Sequence, residues 1–230
     1  VFLQLIVMVM SFAPIGVFCL IGKFVIVDGL DIFQDVLAYV VLLISLLLFH
    51  ALFTYSIFLK FIGGLSPITF FKKIKNVALF AFSTSSSAAT IPVTLKTVNQ
   101  DLGVNQNVAS FVVPVGATIN MDGTAIMQGL ATVFIAQMSG IDLTLFQYAQ
   151  VVLLAVATSI GTAAVPSAGT ITLIIILQQF NLPLEAIGII LAVDRVLDMI
   201  RTSVNVTGDA AIACIVAKSE NQLNEKVFNS

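Results

Sequence analysis

Five polar residues interrupt an apolar stretch near the end of the chain, at steps of four, three, four and four: Asp194, Asp198, Arg201, Asn205 and Asp209. Because a helix turns by about 100° per residue, they fall within roughly 80° of arc on one face. Each ionisable group at the centre of a membrane helix costs about 2.5–3.5 kcal/mol, which excludes a face turned to lipid. This polar row either forms structural salt bridges between helices or is an interior binding face. Asp198 and Arg201, one turn apart, could offer a cation site and a carboxylate clamp, which favours the binding face.

A second polar interruption, GATINMDGT at residues 116–124, lies inside another apolar stretch. Irregular backbone at membrane depth is tolerated only where it lines a cavity or is buried in protein. Freed carbonyl groups together with Asn120, Asp122 and Asp209 would form a hard, oxygen-rich set. Such a set suits a small hard cation rather than zinc, although the oxygen type alone does not separate sodium from calcium.

Two segments rich in hydroxyl groups carry no charge: STSSSAATIPVT at residues 83–94, and residues 159–170 with Gly161, Pro166 and Gly169. We call them the first and second hydroxyl-rich segments. A helix that starts near Thr90 would present its N-terminal amides to the first segment, where they attract an anion such as a carboxylate. The alternative, a loop in water, would usually contain charges. Both segments are therefore expected to line a site.

The composition indicates a helical membrane protein that crosses the bilayer several times. Hydrophobic residues make up 59% and charged residues 10% of the chain, and the mean hydropathy is +1.09. A net charge of −2 gives no indication of nucleic-acid binding. Cys19 and Cys214 lie in apolar stretches and are predicted to be buried filler. The chain opens in the middle of a predicted helix and is expected to be part of a longer protein.

The predicted membrane spans are apolar runs whose length is close to the ~20 residues that a helix needs to cross a bilayer. We predict a span with a kink at Pro14, a second span containing His50, a broken span and a polar last span. These are residues 1–27, 36–59, 108–138 and 184–217. His50 is expected to be a packed, hydrogen-bonded side chain and not to relay protons.

The apolar arms that flank each hydroxyl-rich segment are too short to span, so two re-entrant helical hairpins are expected. Lysines at 60–75, 96 and 218–226 then fall on one side, which the positive-inside rule makes cytoplasmic, together with the C-terminus. Charge alone does not decide this topology; arm length does. The order forms inverted repeats, the sequence feature of a secondary transporter's midplane site. We predict two transmembrane helices in residues 1–67 and a transport core in residues 68–230.

Four ordered motifs resemble the dicarboxylate/amino acid:cation symporters, which include the glutamate transporters: TSSSAATIPVT, GATINMDGT, SIGTAAVPSAGT and DMIRTSVNVTGD. The resemblance runs from Val1 to about Glu220. It implies a homotrimer in the cell (inner) membrane, co-transported sodium ions and elevator-like alternating access. The substrate would be an acidic amino acid or dicarboxylate, and the chain would hold the family's fifth helix to its C-terminus. The residues leave the preferred acidic substrate open.

The resemblance also implies site residues. Thr124 and Arg201 resemble the pair that holds the side-chain carboxylate, and Asp198 the group for the substrate ammonium. The implied substrate-binding residues are Ser85, Ser86, Ser87, Thr124, Val165, Pro166, Gly169, Asp198, Arg201, Thr202 and Asn205. The implied sodium ligands are Gly116, Asn120, Asn205 and Asp209 at one site; Thr118, Met121, Ser159, Ile160 and Thr162 at a second; and Asn120 and Asp122 at part of a third.

Two positions depart from the family pattern. Family members often carry a second arginine, where this chain has Ser85 or Met199; Arg195 stands here instead and either replaces it or points elsewhere. Gln128 stands where proton- and potassium-coupled animal members have glutamate, and an amide cannot carry a proton.

Two rival functions remain, a cation channel and an intramembrane aspartyl protease. A protease needs two aspartates sharing a proton, and VTGD is not its Gly-x-Gly-Asp signature. A channel does not need two charge-free segments over a site. We therefore predict a transporter and not an enzyme.

Overall fold

A computed structural model describes residues 32–230, together with the isolated residues Ile15, Phe18, Cys19, Gly22 and Ile26. The predicted first span, residues 1–27, otherwise lies outside the described residues. Of the two cysteines predicted to be buried, Cys214 is buried, whereas Cys19 is exposed, so the prediction for Cys19 is wrong.

The part of the chain that the structure describes is all-helical and contains no named strand. The first helix, α1, continues through two π-helical segments, His50–Thr54 and Phe58–Ile62, and a helical turn, Tyr55–Ile57. A 3₁₀ turn, Leu184–Ala186, precedes the longest helix, α8. The α-helices are α1 (Ile32–Phe49), α2 (Pro67–Thr84), α3 (Ser87–Gln100), α4 (Gln106–Ile119), α5 (Asp122–Met138), α6 (Leu145–Ile160), α7 (Ala168–Gln179), α8 (Ile187–Ser219) and α9 (Glu225–Asn229).

One described helix, Phe33–Ile62, has the length and apolar composition to cross a membrane. It contains the predicted second span. The longest described helix, α8, has 33 residues and is also long enough by its rise of about 1.5 Å per residue. Its polar row lowers its mean hydropathy, so its composition does not mark it as a membrane span.

The helix α2 begins earlier than the apolar pattern predicts. Ser66 caps it by accepting a hydrogen bond from Thr69 N, and Pro67 occupies its first turn, where a proline is tolerated. Lys72, Lys73 and Lys75 therefore lie on a helix of 18 residues. A cap and helix-forming lysines therefore extend the helix beyond its apolar part, and the prediction that the apolar arm is too short to span stays a prediction.

Each hydroxyl-rich segment joins two helices that contact each other, α2 with α3 and α6 with α7. The first turn is tight: Ser85 is left-handed, with a φ of 50°, and Ser86 caps α3. The second turn, residues 161–167, is longer and ends at Ser167, which is also left-handed, with a φ of 58°. The predicted interruption of the broken span occurs at Asn120 and Met121, between α4 and α5.

The helix α8 contributes buried side chains to both apolar cores. One core contains buried side chains of α1, α5, α6, α7 and the first half of α8, such as Tyr39, Met127 and Leu197. The other contains those of α2, α3, α4 and the second half of α8, such as Phe70 and Cys214. The polar row of α8 therefore lies between two helical pairs, the first formed by α2 and α3 and the second by α6 and α7.

A candidate binding site between the hydroxyl-rich segments

The polar row of α8 faces the interior. Asp194, Asp198, Arg201, Asn205 and Asp209 are each only 2–4% exposed. Buried charges are stable only when they are paired or coordinate an ion, so their partners define what the site can do.

Arg201 makes ion pairs with two carboxylates on its own helix. Its Nη2 pairs with Asp198 Oδ1 and lies 3.6 Å from Asp194 Oδ1. Asp194 Oδ1 also accepts a hydrogen bond of 2.8 Å from Thr170 on α7, and Asp198 Oδ2 accepts one of 2.9 Å from Ser167 N. Both carboxylates thus connect Arg201 to the second helical pair.

Two buried atoms of this group have no hydrogen-bond partner among the described residues, Arg201 Nη1 and Asp194 Oδ2; Ser85 Oγ in the first turn has none either. A buried donor without a partner carries a desolvation penalty of about 1–3 kcal/mol, and more when it is charged. A ligand with carboxylate oxygens would satisfy Arg201 Nη1 and the Ser85 hydroxyl.

A cavity lies where the two turns meet α5 and α8. It contains about 260 Å³ of empty space, part of which opens to the surface. The lining residues are Ser85, Ser87, Met121, Thr124, Thr162, Ala163, Ala164, Val165, Gly169, Asp198, Arg201, Thr202 and Asn205.

Nine of the eleven predicted substrate residues line this cavity; Ser86 and Pro166 do not. Ser86 Oγ instead donates to Ala164 O at 2.8 Å, and Ala88 N donates to the same carbonyl at 3.2 Å. These bonds join the first turn directly to the second. Pro166 is half-buried within the second turn.

Gly169 allows α7 to approach α5 and α8 closely. A Cβ atom at this position would lie 2.8 Å from Thr124 Cγ2 and 3.5 Å from Arg201 Cζ. The first distance is shorter than any ordinary contact, so a larger residue would push the start of α7 away from the cavity.

The predicted ion ligands at one site converge on Asp209. Asn120 Nδ2 donates to Asp209 Oδ1 at 3.1 Å, and a Cβ at Gly116 would lie 2.6 Å from the same oxygen. Asn205 lies nearby on α8, where its Oδ1 accepts from Gly123 N at 2.8 Å and its Nδ2 donates to Thr124 Oγ1 at 3.2 Å. A carboxylate, amide oxygens and backbone carbonyls at a helix break fit a small hard cation.

Asp122 points toward α1. Its Oδ2 lies 3.2 Å from His50 Nε2 and accepts a hydrogen bond of 3.1 Å from Tyr55 Oη. Tyr55 Oη is also 3.2 Å from Val204 O on α8. The His50–Thr54 π-turn brings residues 50 and 55 to one face, which an α-helix would separate by about 140°. The sequence pattern therefore did not indicate Tyr55.

The described hydrogen bonds do not join the members of the second predicted sodium site. Thr118 and Ile160 are exposed, and Thr118 Oγ1 donates within its own helix to Val115 O at 3.0 Å. Ser159 and Thr162 are buried, but Ser159 Oγ donates within α6 to Val156 O at 2.9 Å, and Thr162 Oγ1, in the second turn, donates to Thr158 O at 2.8 Å. Met121, with Thr162, lines the cavity.

Gln128 holds both helices of the second pair. Its Nε2 donates to Gly169 O at 3.0 Å and to Thr172 Oγ1 at 2.7 Å on α7, while its Oε1 accepts from Thr158 Oγ1 on α6 at 2.9 Å. It is fully buried and uncharged. Arg195, by contrast, is exposed and does not line the cavity.

Comparison with known proteins identifies the family of this chain. The sodium:dicarboxylate symporter family model matches residues 1–219. The excitatory amino acid transporter of Caenorhabditis elegans is 41% identical over 218 residues, 94% of this chain and 43% of that protein. Excitatory amino acid transporter 2 of Homo sapiens is 41% identical over 223 residues, which are 95% of this chain and 39% of that protein. Excitatory amino acid transporter 3 of Mus musculus is 39% identical over 230 residues, which are 99% of this chain and 44% of that protein. The chain spans less than half the length of these relatives.

Proposed function

The chain belongs to the sodium:dicarboxylate symporter family, and from that premise we propose that it forms the transport core of a sodium-coupled symporter for an acidic amino acid or dicarboxylate. Its relatives are named as excitatory amino acid transporters. The observation that carries the proposal is the cavity between two charge-free turns, with a buried arginine and a buried carboxylate in its wall.

The substrate would lie in this cavity with a carboxylate on Arg201. Its guanidinium is a planar fork that can hold a carboxylate by two parallel hydrogen bonds. Asp198 would take the ammonium group of an amino acid, and Thr202 and Asn205 would hold the α-carboxylate. The unpartnered Arg201 Nη1 and Ser85 Oγ support this arrangement, because an acidic ligand supplies the acceptors that they lack.

Sodium ions would bind beside the substrate. Gly116, Asn120, Asn205 and Asp209 fit one site, and the contacts around Asp209 support it. Asp122 with Asn120 would contribute to a further site, adjacent to His50 and Tyr55. Thr118, Met121, Ser159, Ile160 and Thr162 would form the remaining site only after the second turn changes position, since two of them are exposed here.

The transport cycle would move this core across the membrane as an elevator. In this proposal α2–α3 and α6–α7 are re-entrant hairpins in inverted repeats, and residues 68–230 move relative to a scaffold that includes residues 1–67. A homotrimer in the cell (inner) membrane, with a cytoplasmic C-terminus, would supply that scaffold. The bonds from Ser86 and Ala88 to Ala164 support a closed state in which both turns cover the substrate.

We expect the full-length protein, reconstituted into proteoliposomes, to accumulate aspartate or glutamate when an inward sodium gradient is imposed. A proton gradient alone should not drive uptake, because Gln128 is an amide that cannot carry a proton. Radiolabelled uptake with potassium in place of sodium serves as the control. Equilibration without accumulation would indicate a channel, and accumulation driven equally by protons would contradict sodium coupling.

A further inference from the structure

The hydroxyl group of Tyr55 joins two of the helices around the proposed ion ligands. Tyr55 is 2% exposed, and its Oη lies 3.1 Å from Asp122 Oδ2, at the start of α5, and 3.2 Å from Val204 O, within α8. A hydroxyl carries one proton, so it donates to one of these acceptors at a time, and an ionised carboxylate is the stronger of the two. The tyrosine therefore links the break between α4 and α5 to the helix that carries Asp209.

Gly208 on α8 makes room for this contact. A Cβ atom at Gly208 would lie 2.5 Å from Tyr55 Oη and 2.8 Å from Asn120 Nδ2, so no larger residue fits while both groups keep their places. The same Asn120 amide donates to Asp209 Oδ1 at 3.1 Å. A glycine in the interior of a helix destabilises that helix, so its place here is explained by the close approach of the tyrosine and the asparagine.

His50 and Tyr55 hold the same oxygen of Asp122 from one side. His50 Nε2 lies 3.2 Å from Asp122 Oδ2, and the two rings pack edge to face with their centroids 4.9 Å apart. The Asp122 side chain is 36% exposed, so without these partners it would be free to take other rotamers in water. The π-helical turn His50–Thr54 brings both rings to one face, and they hold the carboxylate in one orientation.

We propose that Tyr55 is a positioning residue for the bound cation: its hydroxyl holds Asp122, and with it the adjacent break at Asn120, in the orientation that binds the ion. The inference rests on the proposed sodium coupling. Tyr55 does not line the substrate cavity, so its role is confined to the ion. Ligands that are already held in place need no ordering when the ion arrives, which raises the affinity for it.

Sodium titrations on the purified full-length protein in detergent micelles, without substrate, test this role independently of transport. We expect sodium to slow amide hydrogen exchange in residues 116–124, with a midpoint that reports the affinity for the ion. Tyr55→Phe keeps the ring and removes only the hydroxyl, so it should raise this midpoint about tenfold.

Tyr39→Phe is the matched control. Tyr39 is another buried tyrosine of the same helix, 3% exposed, but its Oη has no hydrogen-bond partner among the described residues. Removing this hydroxyl breaks no described contact, so the sodium midpoint should stay within about twofold of that of the parent protein.

A second measurement separates positioning from general destabilisation. The affinity for aspartate at saturating sodium should change by no more than about twofold in Tyr55→Phe, because an excess of sodium restores the occupied site. Gly208→Ala, which pushes the hydroxyl away, should also raise the sodium midpoint. The double variant should match the larger single effect, because both substitutions break one contact.

Equal sodium midpoints in Tyr55→Phe and Tyr39→Phe would overturn the inference and leave sodium coupling intact. A loss of aspartate affinity at saturating sodium as large as the shift in the sodium midpoint would also overturn it, because it would indicate a general effect on the fold. If sodium does not change exchange in residues 116–124 of the parent protein, the inference and the proposed sodium coupling fail together.

Discussion

Replacing Arg201 with cysteine is expected to lower aspartate uptake by about 100-fold or more, while uptake of a neutral amino acid such as serine persists or rises. The guanidinium is 2% exposed and is the group in the cavity wall that can hold a second carboxylate. Removing one partner of a buried charged interaction costs about 3–5 kcal/mol, which corresponds to a loss of this size. Uptake of both amino acids by reconstituted protein measures the change in selectivity.

The same helix offers a matched control. Arg195 is exposed and does not line the cavity, so Arg195→Cys should change aspartate uptake by no more than about twofold. Retained serine uptake in Arg201→Cys would show that the variant is folded although Asp194 and Asp198 have lost their partner. Undiminished aspartate uptake in Arg201→Cys would contradict the assignment of Arg201 as the residue that sets selectivity.

Replacing Asp209 with asparagine is expected to raise the sodium concentration for half-maximal substrate binding by about tenfold. The substitution keeps the shape of the side chain but removes the negative charge next to Asn120 and Gly116. A charged ligand contributes more to cation binding than a neutral one, so the affinity for sodium should fall while substrate affinity at saturating sodium changes little. Substrate binding titrated against sodium measures both quantities.

Asp142→Asn provides the control, because Asp142 is exposed in the loop between α5 and α6. It should leave the sodium dependence unchanged. The assignment of Asp209 as an ion ligand fails if its variant shows the same sodium dependence as the control.

The spacing of polar residues predicted which face of α8 is buried. Steps of three and four fixed which face of α8 carries Asp198, Arg201 and Asn205, and burial in an apolar chain required that this face point inward. The same reasoning recognised the break near Asn120, since an asparagine, an aspartate and a glycine stand together in an apolar run. The family resemblance is confirmed by the match over residues 1–219.

The contacts that the sequence did not indicate depend on irregular backbone or on long-range folding. Tyr55 reaches Asp122 only because a π-turn changes the periodicity on which face assignments rely. Ser86 bridges the two turns, and its partner is a carbonyl that no sequence pattern marks. Lys73 contacts Val227 near the end of the chain because a cap upstream extends the helix that carries it.

The central claim is that the cavity between the two turns binds an acidic substrate and sodium together. Measuring the affinity for aspartate at low and saturating sodium, and the affinity for sodium with and without aspartate, tests it most directly. If the two ligands stabilise one closed state, each must raise the affinity for the other by the same factor, which we expect to be at least about 100-fold. Aspartate affinity that is identical in sodium and in potassium would contradict the account.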